Sequence, residues 1–296
     1  MPAGTPTREG TVTRHPELPE FKVEWIPRDG RFFVFVGPHG SGKSTLMRYF
    51  CHLVNNELGI EDWIGFSDTE SGNGFLGTML YRPFIFQRVP SDADFEYYYD
   101  LYRMQNIVAK KTGEPKRRLA IIIDDCDDEY QTLRKSGVFR KLVSNMRHLG
   151  IWVFVSVQYI LQLPPSLRNQ IDVLFQLRVE GPEMIEDVYK RYLKGKLGVS
   201  DLKYRVATEY ERMRTYLRWY VHVGSCMVIA RGIGEGSKYL STFTWPADHE
   251  TSKFGDRTLQ ITAQKILEND EDAEESLEEV NLAMKRLREQ RYGGEM

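Results

Sequence analysis

Cysteine is scarce in this 296-residue chain, and its three copies, Cys51, Cys126 and Cys226, stand far apart with no CxxC or Cys/His spacing. That excludes a disulfide framework and a zinc finger, and it fits a reducing compartment. Long hydrophobic runs are missing as well. The longest, residues 151–157 and 226–230, fall well short of the roughly 20 apolar residues that carry a helix across a bilayer. The first twenty residues are rich in Thr, Pro and charge without an apolar stretch, so the expectation is an intracellular, soluble protein with no targeting segment. There is no excess charge of either sign, the net being −2, so any basic surface must be a local patch. No internal repeat is visible.

What is present is the composition of a globular chain, 41% hydrophobic and 28% charged, enough to bury a sizeable core. The length favours one enlarged α/β domain over residues 21–245, with a mobile arm at 1–20 and a charged, partly helical tail at 246–296. Alternation at Phe21, Val23 and Trp25, then turn residues, then the apolar run 32–36 predict a strand pair. Leu46, Tyr49, Phe50, Leu53 and Val54 follow at helical spacing. Further strands are predicted at 63–66, 83–89, 119–123, 151–157, 173–179 and 220–230, and helices at 92–111, 131–148, 183–194 and 200–217. Most of the strands are apolar on both faces, which implies a mainly parallel sheet with helices on both sides and a ligand at the carboxyl ends of its strands. Glycines at 232, 234 and 236 mark a loop. In the tail an acidic block precedes a basic one, with Leu277, Val280, Met284 and Leu287 at heptad-like spacing; a packing helix and a fraying charged tail both fit.

Gly37, Pro38, His39, Gly40, Ser41, Gly42, Lys43 and Ser44 satisfy G-x-x-x-x-G-K-[ST], with Thr45 next, directly after a buried strand and directly before a helix. Glycines let successive backbone N–H groups converge on phosphate oxygens, and the helix start adds its positive dipole end. Lys43 is expected to reach the β- and γ-phosphates of ATP, and Ser44 to hold Mg2+ through its hydroxyl. The strand at 119–123 ends in Asp124-Asp125, the form of a Walker B element. Asp124 is the candidate Mg2+-shell ligand, and Asp125 the candidate that polarises the attacking water. Asp127, Asp128 and Glu129 add local negative charge. Gln158, at the end of the 151–157 strand, is placed to sense the γ-phosphate or the water. The densest basic run, residues 110–118, is either a DNA-phosphate contact or a solvated loop.

These residues, Gly37 through Thr45, Ile121 through Cys126, and the block running from Arg147 through Ser156, Gln158 and Tyr159 to Asn169, resemble the genome-packaging ATPases of large DNA viruses, the poxvirus-type branch of the FtsK/HerA superfamily. The likeness spans about residues 30–180. It implies a P-loop NTPase fold of the RecA/ASCE kind and a homo-oligomeric ring, hexamer or pentamer, that drives sequence-independent double-stranded DNA into a preformed capsid. It also implies a capsid or membrane-associated virion partner, residence in the host cytoplasm or viral factory and in the virion, and an arginine supplied in trans to a neighbour's ATP. Arg147 is the first candidate and Arg168 the second. Many members carry Asp-Glu where this chain has Asp124-Asp125, which leaves Asp125 and Glu129 both open as the base. A helicase or segregation ATPase of the same superfamily, and an ATP-dependent assembly scaffold, are the competing readings. A small-molecule kinase would need an arginine-rich lid that is not seen.

Overall fold

The computed structural model describes residues 18–126, 135–179, 181–190, 209–233, 240–248 and 252–255. Most of the arm, Asp127, Asp128 and Glu129, glycines 234 and 236, and the heptad positions of the tail lie outside them.

Eight strands form one sheet in the order β3-β2-β4-β5-β1-β6-β7-β8. They are β1 (Phe32–Val36), β2 (Asp62–Ser67), β3 (Ile85–Phe86), β4 (Leu119–Asp124), β5 (Ile151–Val157), β6 (Val173–Gln176), β7 (Ser225–Ala230) and β8 (Leu240–Thr244). β1 to β6 run parallel, and β7 and β8 complete the sheet antiparallel. The helices are α1 (Lys43–Leu58), α2 (Glu70–Asn73), α3 (Asp92–Thr112), α4 (Gly137–Leu149), α5 (Pro165–Arg168), α6 (Pro182–Val188) and α7 (Glu209–Tyr220). This is the P-loop NTPase architecture, a mainly parallel sheet with helices on both faces, as the unalternated apolar strands predict.

All five side chains of β1 are buried, so each of its faces needs a cover. Phe32, Val34 and Val36 point to the layer containing α3, α4 and α7; Phe33 and Phe35 point to α1. Phe50 of α1 sits at the centre of the second layer, within 6.4 Å ring-to-ring of Phe33, Phe35, Phe154, Phe175 and Phe243. Ser91 and Asp94 form a capping box that starts α3, and the Ser136 hydroxyl accepts from Phe139 N at the start of α4.

Three expectations change. Residues 23–25 form a 3-10 turn rather than a strand, and the extended pairing lies just before them, where Glu20 bridges β8 at Thr242. Phe21 N donates to Thr242 O at 2.7 Å and Thr242 N to Pro19 O at 2.9 Å, so the outer edge of β8 is covered. The strand predicted over 83–89 shrinks to two residues because Pro83 opens a 3-10 turn over Arg82–Phe84. At the other end of the domain, packed chain continues past 245: Phe254, 4% exposed, lies against Trp63 and donates its N–H to Met79 O.

Truncating Phe50 to Ala would leave a large hole among six aromatic rings, Phe21 being the sixth. The expected cost is about 3–5 kcal/mol, read as a lower urea midpoint at unchanged m-value.

Candidate functional site

β1 lies between β5 and β6, so the loop that leaves its carboxyl end at Gly37 emerges between two neighbouring strand tips. Gly37 N donates to Val157 O (3.2 Å), which anchors the loop to β5. A Cβ at Gly37 would lie 2.6 Å from Ser41 Oγ and 2.9 Å from Leu177 Cβ, so only glycine fits there. Gly42 caps α1 with φ 91°, a left-handed value, and a Cβ on it would meet the Trp245 ring at 3.6 Å. Lys43 opens α1 and carries its ammonium back over the loop, donating to Gly37 O (2.7 Å) and Pro38 O (3.1 Å). His39 and Gly40 are exposed at the loop's crest, while Pro38, Ser41, Ser44 and Thr45 are half-buried around it.

Two strands away, β4 ends in Asp124, 1% exposed. Its Oδ1 accepts from Ser156 Oγ (2.5 Å), whereas its Oδ2 is buried with no hydrogen-bond partner among the described residues. Burial pushes the carboxyl up to about 6; the Ser156 hydrogen bond and the charge of Lys43 oppose this, and the negative charges of Asp125 and Glu70 add to it. An orphaned, desolvated carboxylate oxygen at a strand tip, electrostatically coupled to the loop lysine, fits a divalent cation such as Mg2+. Ser44, the other ligand expected from the sequence, lies in the first turn of α1.

Asp125 is the only non-glycine residue with positive φ (47°) among the described residues. Such backbone costs on the order of 1–3 kcal/mol and collects at functional sites. It is held there from both ends: Asp125 N donates to Ser156 Oγ (3.2 Å), and Asp125 Oδ2 accepts from Thr69 Oγ1 (3.1 Å). Ser156 thus orients both aspartates. Glu70, 6% exposed, accepts from Leu76 N (2.7 Å) and Gly77 N (2.8 Å), so both its oxygens are committed to the chain beyond β2. Cys126 is buried, and its thiol is pushed up to about 12, chiefly by desolvation, which leaves it inert. Gln158 follows Val157, the residue that accepts from Gly37, and its own N–H donates to Gln162 Oε1 (2.7 Å).

The phosphate loop, both aspartates and Gln158 therefore share the carboxyl edge of the sheet. The two arginines do not. Arg147, in the last turn of α4, pairs with Asp172, which also accepts from Phe32 N (3.0 Å) at the start of β1, on the amino edge. Arg168 is 8% exposed in α5. In the 110–118 run the arginines are likewise engaged, Arg117 with Asp62 (2.7 Å) and Arg118 with Glu61 (3.2 Å). Sequence reasoning passed over the roles of Ser156, Thr69 and Trp245. The available signal for the first was a lone hydroxyl in an otherwise apolar strand beside the acidic one.

By fold and loop the chain is of the P-loop NTPase class. No family model matches it. Among curated proteins it is 30% identical over 164 residues to the uncharacterized protein 015R of Frog virus 3, covering 55% of this chain and 48% of that protein. It is 31% identical over 172 residues to the uncharacterized protein 088R of Invertebrate iridescent virus 3, covering 56% and 60%. The chain thus spans about half to three-fifths of the length of these relatives, both from large DNA viruses. Among solved structures, the DNA-packaging ATPase B204 of Sulfolobus turreted icosahedral virus aligns over 75% of this chain and 100% of its own, at 17% identity and a TM-score of 0.49. No helix among the described residues is long and apolar enough to cross a membrane.

The folded chain binds the Asp124 proton more tightly than an ordinary carboxyl at 3.8 does. The stabilisation this gives is complete below about pH 4 and lost as pH rises through about 6. Asp124→Asn is therefore expected to raise the thermal midpoint of the nucleotide-free protein near pH 8, by an amount equivalent to at most about 3 kcal/mol. The two melting curves should converge near pH 4.

Proposed function

We propose that this chain is an ATP-driven motor that moves double-stranded viral DNA into a preformed capsid, working as a homo-oligomeric ring. The observation that carries the reading is the convergence of the phosphate loop, the unpaired Asp124 Oδ2 and the strained Asp125 on one edge of the sheet. The resemblance of these strand tips to packaging ATPases supplies the substrate and the setting, host cytoplasm and virion.

In this mechanism the loop N–H groups and Lys43 bind the triphosphate, Lys43 exchanging the carbonyls of Gly37 and Pro38 for β- and γ-phosphate oxygens. Ser44 and Asp124 would hold Mg2+, which would supply charge neutralisation at the phosphates. The second aspartate, Asp125, orients and polarises the attacking water. Its left-handed backbone and its Thr69 hydrogen bond fix where its carboxylate points. Gln158 reports the presence of the γ-phosphate to β5. Electrostatic stabilisation, not covalent chemistry, lowers the barrier. Arg147, paired with Asp172 but with its side chain 55% exposed, is the first candidate for the arginine supplied to a neighbour's ATP, and Arg168 is the second.

Lys43→Ala is expected to lower phosphate release by about 100-fold or more while leaving the fold intact. The motor reading is tested by duplex-stimulated ATP hydrolysis at low salt, measured alongside mass in solution with and without nucleotide. Stimulation in a ring-sized species is the expected result. An assembled ring whose turnover ignores DNA would be a nucleotide-dependent scaffold instead, and unwinding of a forked duplex would make the protein a helicase.

A further inference from the structure

A cleft of about 430 Å³ opens between the tip of β6 and α7, walled by Arg178, Arg214 and Arg218 over a floor that includes Leu217 and Val221. The geometry points to this cleft as the place where the protein grips the phosphodiester backbone of duplex DNA, an inference that rests on the motor reading above. All three arginine side chains are exposed. Arg214 and Arg218 are four residues apart on α7, which stacks them on one helix face at roughly 6 Å. Arg178 approaches from the strand side. Glu211 also lines the cleft, so among the described residues three positive charges face one negative. Guanidinium forks match phosphate oxygens in a paired, planar way that ammonium groups do not.

A lining of three arginines fits contact with the phosphodiester backbone. Phosphate contacts fix position without reading sequence, as a packaging motor requires. The alternative basic segment, 110–118, has its two arginines in ion pairs with Asp62 and Glu61 on the amino edge.

Position couples the cleft to the nucleotide loop. Leu177 donates its N–H to Val36 O (2.8 Å) and abuts Gly37, and the next residue is Arg178. Successive side chains of extended chain point to opposite faces, so one strand tip touches the phosphate loop with one residue and lines the cleft with the following one.

The test uses the full chain and a fluorescent duplex of mixed sequence, with anisotropy read across a salt series. Arg214→Ala/Arg218→Ala is expected to weaken binding at least about tenfold, equally for unrelated sequences, and to lower the slope of log affinity against log salt by roughly 2. The Lys-for-Arg double variant should keep most of that slope, with the thermal midpoint of both variants as the measure of folding. Unchanged affinity and slope in a folded Ala variant, beside a wild type that binds, would overturn the cleft and leave the motor reading standing. The cleft falls equally if the variant binds DNA normally but loses turnover only in the assembled ring, which would make these arginines contributors to a neighbour's nucleotide site. A wild type that binds no duplex would overturn both.

Discussion

A charge that the fold itself does not want is the constraint around which the rest of this molecule is arranged. Asp124 ends a fully buried strand, has one oxygen tied to Ser156 and the other tied to nothing among the described residues, and has two further acids in electrostatic reach. Removing a carboxylate from water without a partner costs several kcal/mol. Stability alone would have replaced it. A positive charge arriving from outside the described residues would offset that cost, and the surroundings are shaped for its arrival. Lys43 stands close enough to be felt but spends its hydrogen bonds on loop carbonyls, while Ser156 and Thr69 steady the aspartates without neutralising them.

The two edges of the sheet have accordingly been built to different standards. On the amino edge the charges are matched within the chain: Asp172 with Arg147 and with Phe32 N, and Asp62 with Arg117 and the Tyr102 hydroxyl. On the carboxyl edge the matching is left incomplete, the backbone is strained at Asp125, and glycine stands where a side chain would collide. Rigidity at one edge lets the other hold a costly geometry.

How much of this could be read in the letters follows from the same contrast. The phosphate loop was legible because its mechanism needs particular residues at particular spacings between a strand and a helix, all of them local in sequence. The parallel sheet was legible because five unalternated apolar side chains such as those of β1 admit few other placements. The role of Ser156 was not, since a single hydroxyl acquires meaning only when β5 lies beside β4 and Phe35 pairs with it from the other flank. Pro83 defeated the predicted length of β3, a local effect of ring geometry that a run of apolar residues masked. β8 pairs with β7 and with residues near position 20, partners separated from it by long stretches of chain, and no short-range pattern announces that.

That distant pairing has a bearing on how copies of the chain can meet. An open sheet border is a row of unmet donors and acceptors and invites another strand to continue it. Here one border is a strand of only two residues, and the other has Pro19 and Phe21 laid along Thr242. Neither end offers a ledge for indefinite growth. In the ring proposed above, contacts between subunits would then fall to side chains on helices and loops, surfaces that separate and re-form without tearing backbone hydrogen bonds.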